Sequence, residues 1–369
     1  MKSARNYLIN IALLAAIFFL TYRLMFADTE FSDIMEIIRG ASPGWVAVGA
    51  LSALLFVSCE GFAIQYMLHV MKLRISTPAC LKYTFIGFFF SYITPSSTGG
   101  QPAQMYYMKK EGIKIGHSAV IMLLITISYK VSLLAMAAVL MIVEHNVVQQ
   151  TTGEIKWLLV LGFILSGGLI AGLLLLLGKP VGVRDAGIKL VNRLSAKKLM
   201  REQKAERYRG KLNRICDNYT AGANYIKDNP KSILVLFCIT TMERLLLMTV
   251  TWAVYHAFGL SGAGFWEIIT VQTLISVAVE MLPLPGAAGV TEWCFVLVFS
   301  GIFTDTFVKP ALLVSRGLSF YLVLIVGGLT TLITHLLLMR RAGGIKAAKL
   351  AEQKEKEEEA KKEIEAGHQ

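Results

Sequence analysis

Two short polar stretches interrupt long apolar runs: Pro95-Ser-Ser-Thr-Gly-Gly-Gln-Pro102 in the first half of the chain and Pro283-Leu-Pro-Gly-Ala-Ala-Gly289 in the second. The apolar arms beside each stretch are shorter than the roughly 20 residues that a helix needs to cross a bilayer. A broken backbone that faces lipid costs several kcal/mol for each unpaired polar group, so such breaks are tolerated only against protein or a wet cavity. The sequence therefore predicts two re-entrant hairpins of broken helix.

The composition indicates a membrane protein. The 369 residues are 55% hydrophobic and 17% charged, whereas soluble proteins average about 25% charged residues. The net charge of +12 is concentrated in residues 179–231, which is typical of a cytoplasmic loop and not of a surface that binds nucleic acid. The cysteines show no disulfide or zinc spacing. These features argue against a soluble enzyme, a nucleic-acid-binding protein and a secreted scaffold.

The hydrophobic runs and their flanking charges predict the topology. Lys and Arg beside the span ends place both termini in the cytoplasm of a cell membrane protein. We predict an all-α polytopic membrane protein with about six full spans and two re-entrant hairpins. The alternative is that each hairpin crosses the membrane fully as two thin spans, which would leave both termini on the same side. The membrane domain covers residues 1–341, and residues 342–369 form a charged cytoplasmic tail. The predicted spans are residues 7–26, 44–70, 117–143, 157–177, 232–258 and 311–339.

The two broken hairpins occupy corresponding places in two halves of the chain. Residues 44–143 and residues 232–339 each read as span, hairpin, span, and the flanking charges open the first hairpin to the cytoplasm and the second to the outside. Both breaks also contain Pro-x-x-x-Gly, at Pro95/Gly99 and at Pro285/Gly289. An inverted repeat with interrupted helices predicts a binding site near the bilayer midplane, as in transporters. The simpler alternative is that the prolines only kink ordinary helices.

Seven ionisable residues lie inside apolar runs, where each costs roughly 2.5–3.5 kcal/mol unless it meets a partner or a cavity. They are Glu60, Lys130, Glu243, Arg244, Glu280, Glu292 and Arg316. We expect the bases to hold an anionic phosphate and Glu292, which follows a break, to hold a cation. The alternative is that these groups form structural ion pairs. The predicted substrate-binding residues are Pro95, Gly99, Gly100, Gln101, Lys130, Glu243, Arg244, Pro285, Gly286, Gly289, Glu292 and Arg316.

Other kinds of chemistry find no support in the sequence. No two histidines have a metal-ligand spacing, and no Ser or Cys has a neighbouring His–Asp arrangement. A phosphate-binding P-loop is also missing. We therefore expect no metal, no cofactor, no catalytic residue and no ATP-driven pumping.

The two breaks resemble the signatures of a known family. Residues 94–104 with Tyr106–Gly112, and residues 283–292, are similar to the two signatures of the lysylphosphatidylglycerol synthase transmembrane-region family, over roughly residues 7–341. The resemblance implies a flippase-like membrane module whose breaks are re-entrant turns around a lipid head-group site. In bifunctional members this module is fused to a soluble domain that transfers lysine from lysyl-tRNA to phosphatidylglycerol. Its product confers resistance to cationic antimicrobial peptides.

Two departures from the family pattern shape the functional hypothesis. Many members have Glu where Gln101 stands, and the residues after Arg341 are too few for an aminoacyl-transferase domain. We expect a lipid flippase that handles an anionic or aminoacylated phospholipid such as lysylphosphatidylglycerol and is not an enzyme by itself. The alternatives are a phosphatidylglycerol lysyltransferase-type membrane enzyme and a membrane partner of a separate synthase that docks on residues 179–231. A homo-oligomer is also left open.

Overall fold

The computed structural model describes residues 31–94, 97–151, 153, 155–178, 180–196, 202–282, 287 and 289–338, and this part of the chain is helical without strands. The predicted span at residues 7–26 and the tail at residues 342–369 lie outside the described residues. The helices are α1 Phe31–Arg39, α2 Pro43–Val70, α3 Thr77–Tyr92, α4 Gly100–Lys110, α5 Ile115–Val143, α6 His145–Thr151, α7 Lys156–Gly178, α8 Pro180–Ala196, α9 Glu202–Lys227, α10 Lys231–Ala257, α11 Phe265–Val279 and α12 Val290–Arg316, followed by a π-helical stretch at Gly317–Leu322 and by α13 at residues 323–338.

Five described segments are long and apolar enough to cross a membrane: α2, α5, α7, α10 and the 49-residue stretch Val290–Leu338. The first four match predicted spans to within two residues at either end. Large apolar side chains such as Leu51, Ile142 and Trp157 are exposed on these helices, as expected for surfaces that face acyl chains. The prediction of an all-α polytopic membrane protein is confirmed, and the number of spans stays a prediction.

The long stretch Val290–Leu338 consists of two helical parts. Thr304 has φ 60° and ψ 161°, which is not helical. This kink separates residues 290–303, the second arm of the second hairpin, from the final span. Pro310 lies within the helix that follows. The predicted arm also ended at residue 303, but the predicted final span began at residue 311, several residues after the observed kink.

The helices of the hairpin arms are shorter than a typical membrane span. Helices α3 and α4 have 16 and 11 residues, and α11 has 15 residues. At about 1.5 Å per residue these arms are roughly 16–24 Å long, whereas the hydrocarbon core is about 30 Å thick. The two arms of each hairpin pack against each other, which agrees with the predicted re-entrant form.

Helices α2 and α10 form the largest helix–helix interface among the described elements. Ala53, Phe56 and Val57 of α2 pack with Val250 of α10 in one buried cluster. Near the start of α2, the Ser42 N–H donates a hydrogen bond of 2.7 Å to the Ala257 carbonyl. The first spans of the two predicted repeats therefore meet at the centre of the molecule.

Contacts between the two predicted repeats come in matched pairs. Helix α5, the last span of the first repeat, packs against α10, and α2 packs against the π-helical stretch within the last span of the second repeat. Helix α11 packs against α5, and Gly327 of α13 lies against Phe85 and Phe89 of α3. A two-fold relation between the halves would give contacts of this kind. The repeat and its inverted orientation both stay predictions.

Helices α8 and α9 carry the basic segment between α7 and α10, and they pack against each other. Glu202 accepts hydrogen bonds from Ser195 and from Arg209, the latter at 2.7 Å. These hydrogen bonds lower the pKa of Glu202 from its ordinary value. Helix α9 also packs against α5, which attaches the basic pair to the membrane domain.

Glycine spacing on α7 allows one close helix contact, which yields a stability prediction. A Cβ at Gly162 would overlap the Val277 carbonyl oxygen of α11, whereas a Cβ at Gly167 on the same helix would meet nothing within 4 Å. Overpacking of this kind costs about 1–3 kcal/mol. We expect Gly162→Ala to lower the thermal unfolding temperature of the detergent-purified protein.

The matched control is Gly167→Ala, which replaces glycine in the same helix without a clash. It should leave the unfolding temperature unchanged or raise it slightly, because alanine favours a helix by about 0.5–1 kcal/mol over glycine. Equal effects of the two substitutions would contradict the α7–α11 packing.

Candidate functional site

A cavity of about 590 Å³ lies between the two hairpins and helices α2, α5 and α10. Its volume is within the roughly 300–1,000 Å³ of typical small-molecule sites. Thr98, Gly100 and Gln101 line it from the first hairpin, and Leu282 and Ala287 line it from the second. Residues beside the two breaks therefore line the same cavity. Its aromatic lining consists of Phe56, Phe88, Tyr92, Tyr129, Phe295 and Phe320.

Glycines let the first break close tightly. The Gly99 N–H donates to Thr94 Oγ1 at 2.9 Å, so the chain folds back on the end of α3. A Cβ added at Gly100 would overlap the Ser91 hydroxyl and would lie 2.7 Å from the Gly87 carbonyl oxygen. A side chain at residue 100 would push the two arms apart. Because the arms stay in contact, the first turn of α4 lies at the cavity wall.

Two glutamines on α4 connect the first hairpin to neighbouring spans. Gln101 donates to Thr126 of α5, and Gln104 donates to Glu60 of α2. Residues three apart share one face of a helix, so one face of α4 makes both contacts. Gly87 of α3 leaves room for the buried Gln104 side chain, which a Cβ at residue 87 would overlap. The arm that begins at the first break is thus fixed to both sides of the cavity.

The second break is held by a capping carboxylate. Gly289 has φ 90°, a conformation that favours glycine, and its N–H donates to Glu292 Oε2 at 2.6 Å. The other carboxylate oxygen, Oε1, lies 2.6 Å from Arg316 Nε. Glu292 is buried, and Arg316 lines the cavity. Arg316 Nη2 is buried and has no hydrogen-bond partner among the described residues.

Glu280 at the end of α11 binds two cations. Its Oε2 accepts hydrogen bonds from Lys130 Nζ at 2.8 Å and from Arg244 Nη2 at 2.9 Å, and its Oε1 accepts one from Arg244 Nη1. The Arg244 guanidinium also stacks on Tyr129, with 3.4 Å from Cζ to the ring centroid. Lys130 and Arg244 come from α5 and α10, so this carboxylate joins the second hairpin to a span of each predicted repeat.

Two carboxylates at the cavity have no cation of their own. Glu243 is 1% exposed, lines the cavity, and its Oε2 has no hydrogen-bond partner among the described residues. Glu60 accepts a hydrogen bond from the neutral Gln104. Neither carboxylate is in a salt bridge in the described part of the chain, because Lys130 and Arg244 are bound to Glu280 and Arg316 is paired with Glu292. The part of the cavity beside α2 and α10 is therefore acidic.

The structure gathers the described candidate residues around this cavity. Gly100, Gln101, Lys130, Glu243 and Arg316 line it. Arg244 and Glu292 lie behind the lining in ion pairs, and Gly99 and Gly289 precede the helices that start at the breaks. Pro95, Pro285 and Gly286 lie outside the described residues.

The ion pairs bear on the two interpretations of the buried bases. Lys130, Arg244 and Arg316 each contact a carboxylate, which is the structural alternative raised by the sequence. Arg316 still carries an unpartnered nitrogen. Roles in substrate binding stay a prediction for all three residues.

Several cavity residues had not been assigned to the site from the sequence. The sequence predicts Glu60 and Glu280 only as buried charges and includes Gln104 only in the first family signature, and it predicts nothing for Thr126 and Tyr129. The spacing of Gln104 three residues after Gln101 is the one sequence signal for this group. Among the described residues, no group of three or more His, Cys, Asp and Glu side chains is arranged to hold a metal ion.

Comparison with known proteins places the chain in a family. Residues 7–327 match the lysylphosphatidylglycerol synthase transmembrane region. The chain belongs to this family. It is also 26% identical over 289 residues to a UPF0104 membrane protein of Archaeoglobus fulgidus, a match that covers 75% of this chain and 82% of that protein. Both breaks and every described cavity residue fall within the residues that match the lysylphosphatidylglycerol synthase transmembrane region.

The Glu280 contacts predict a strong effect of a single substitution on stability. Glu280→Gln keeps the shape of the side chain but leaves Lys130 and Arg244 without their anion. Breaking a buried ion pair by removing one partner typically costs about 3–5 kcal/mol. We expect this variant to unfold at a clearly lower temperature than the wild type in detergent.

The control for this prediction is Glu202→Gln, the same change at an exposed carboxylate of α9. A surface ion pair contributes about 0–1 kcal/mol, so this variant should unfold close to the wild-type temperature. If Glu280→Gln were as stable as Glu202→Gln, the ion pairs of Glu280 with Lys130 and Arg244 would not stabilise the fold.

Proposed function

We propose that the protein moves a phospholipid with a charged head group between the two leaflets of the cell membrane, and that the head group binds in the cavity between the hairpins. The observation that carries the proposal is that residues beside both helix breaks line one cavity, together with charged side chains that are rare in the rest of this apolar membrane domain. A lipid head group is the charged part of a molecule whose acyl chains already lie in the bilayer. Such a cavity lowers the barrier that hydrocarbon presents to the head group.

The helix ends at the cavity suit a head group that carries both a positive and a negative charge. Helices α4 and α12 begin at the breaks, so their N-terminal dipoles carry partial positive charge there. Helices α3 and α11 end at the same breaks, and their C-terminal dipoles carry partial negative charge. A phosphate and an ammonium group both find partners in this arrangement.

An aminoacylated phospholipid such as lysylphosphatidylglycerol matches the cavity groups. Its phosphate suits the unpartnered nitrogen of Arg316, because guanidinium groups bind phosphate strongly. Its two ammonium groups suit Glu60 and Glu243, which lack a cation among the described residues. The family name adds weight, since it associates this membrane region with the synthesis of that lipid. A purely anionic phospholipid would meet Arg316 favourably but would also face the two carboxylates.

The predicted inverted repeat supplies the movement. If residues 44–143 and 232–339 have opposite orientations, rocking of one half against the other at the α2–α10 interface exposes the cavity to either leaflet in turn. Both termini are then cytoplasmic, and the basic helices α8 and α9 face anionic lipids of the inner leaflet.

Reconstitution into liposomes tests the function directly. Head-group-labelled lysylphosphatidylglycerol and phosphatidylglycerol are each incorporated, and a membrane-impermeant quencher reports the fraction accessible in the outer leaflet. We expect the protein to accelerate flipping of lysylphosphatidylglycerol over protein-free liposomes. Flipping at the protein-free rate for both lipids would contradict the proposal.

Variants of the Glu292–Arg316 pair separate head-group binding from structural pairing. We expect Arg316→Ala to reduce flipping at least tenfold, because the cavity loses its phosphate contact. The charge-reversed double variant Glu292→Arg with Arg316→Glu restores an ion pair and should recover expression relative to either single change, but not flipping. Arg39→Ala, an exposed arginine of α1, is the control and should flip lipid at the wild-type rate. Full recovery of flipping in the double variant would assign the pair a structural role alone.

A further inference from the structure

The charged groups at the α2–α10 side of the cavity do not balance. Glu60, Glu243 and Glu280 supply three carboxylates, whereas Lys130 and Arg244 supply two cations. Glu292 and Arg316 pair with each other at the second break. With every group ionised, the cluster therefore carries one uncompensated negative charge.

The described groups around Glu243 and Glu60 do not compensate the extra negative charge. Arg244 attracts Glu243 through space, but its two terminal nitrogens bind Glu280. Tyr129 is stacked under Arg244, and the Tyr92 hydroxyl donates to the Ser319 carbonyl at 3.1 Å. The titratable and charged groups that face the pair are Cys59 on α2, Tyr92 on α3, Tyr129 and Lys130 on α5, Arg244 on α10, Glu280 after α11, and Glu292 and Arg316 at the second break.

None of these groups adds a cation that is not already bound to a carboxylate. Glu60 and Glu243 project into one cavity from the two helices that pack most extensively, and their charges repel each other. Two carboxylates in such surroundings do not both stay ionised, because a buried charge without a partner is far more costly than a neutral carboxyl. The Oε2 atom of Glu243 is buried and unpartnered among the described residues, and Glu243 lines the cavity, which leaves this oxygen open to a proton.

We propose that Glu60 and Glu243 share one exchangeable proton and form a proton-binding site within the cavity. With that proton bound, the cluster is neutral. The carboxyl O–H is the one new bond, and the proton comes from water that reaches the cavity. We assign the pair a proton and not a metal ion, because no group of three or more His, Cys, Asp and Glu side chains in the described part of the chain is arranged to hold a metal.

The proton site gives the proposed lipid transport a source of energy, and this part rests on the proposed function. A lysylphosphatidylglycerol head group has one phosphate and two ammonium groups, so it brings a net charge of about +1. When it enters, the carboxyl O–H bond breaks, the proton leaves to water, and the carboxylates hold the ammonium groups. The cluster stays neutral in both states. Lipid and proton therefore exchange, and an opposing proton gradient drives the lipid across the membrane.

Infrared difference spectroscopy of the purified protein tests proton binding without any lipid substrate. The C=O stretch of a protonated carboxyl is separate from the bands of carboxylates and shifts in heavy water. We expect the wild type in detergent to show one such carboxyl at neutral pH. A wild-type spectrum with no protonated carboxyl at neutral pH would overturn the proposal.

Single substitutions assign the band and test sharing. Glu60→Gln and Glu243→Gln each remove one negative charge, so either change alone leaves the cluster neutral with no proton. Both variants should lose the whole band. Persistence of the band in either variant would show that one residue holds the proton alone and would overturn sharing. If a Gln variant does not fold, Glu60→Asp or Glu243→Asp should keep one protonated carboxyl with a shifted band, and an unshifted band in both variants would overturn the assignment.

Glu202→Gln is the matched control for the spectra. This exposed carboxylate is bound to Ser195 and Arg209, and its lowered pKa keeps it ionised at neutral pH. The band should be unchanged in this variant. Loss of the band here would mean that it reports a general change in the protein and not the cavity pair, which would overturn the assignment.

Coupling to lipid is tested separately in proteoliposomes. Lysylphosphatidylglycerol should reduce the carboxyl band of the reconstituted wild type, whereas phosphatidylglycerol should not. An imposed proton gradient should change the rate of lysylphosphatidylglycerol flipping severalfold in the wild type and have no effect in Glu243→Gln. A band that responds to neither lipid would overturn the exchange. A protein that binds the proton but flips no lipid would refute the proposed function and leave the proton site intact.

Discussion

A helix that stops inside a membrane exposes backbone N–H and C=O groups that hydrocarbon cannot satisfy, and this constraint shapes the whole molecule. Both breaks must be turned inward, toward protein or water. The chain meets this requirement by placing them on one cavity. Thr94 and Glu292 cap individual N–H groups at the breaks, and glycines allow the arms to lie close. Thr98, Gly100 and Gln101 beside the first break and Leu282 and Ala287 beside the second line this cavity.

The ion pairs join separate helices to one another around that cavity. Glu280 binds the cationic side chains Lys130 of α5 and Arg244 of α10. Glu292 in the first turn of α12 pairs with Arg316, the last residue of α12. A buried ion pair is often no more stable than apolar packing, but the loss of one member is severe. This arrangement favours a fixed geometry over maximal stability. Because the cations are already engaged, the acidic groups that are left over define what the cavity attracts.

Much of the fold could be predicted from the sequence, since span length, flanking charge and Pro/Gly breaks are local signals. The predicted spans at residues 44–70, 117–143, 157–177 and 232–258 have the observed bounds to within two residues. The site was predictable only in part. Glu280 binds Lys130, which is 150 positions away, and no local pattern encodes such a partner. Thr304 likewise adopts a left-handed conformation that threonine itself does not favour, so the start of the final span was misplaced.

The π-helical stretch at Gly317–Leu322 has a consequence for the final span. It begins directly after Arg316, which faces the cavity, and precedes Gly327, which lies against α3. A π-helical turn holds one more residue than an α-helical turn. The extra residue in this turn rotates the two ends of the span relative to each other, so that Arg316 can face the cavity while Gly327 faces α3. An ancestral insertion at this point would have left both faces in register, so homologous chains that differ in length here can retain the same arginine and the same small-residue contact.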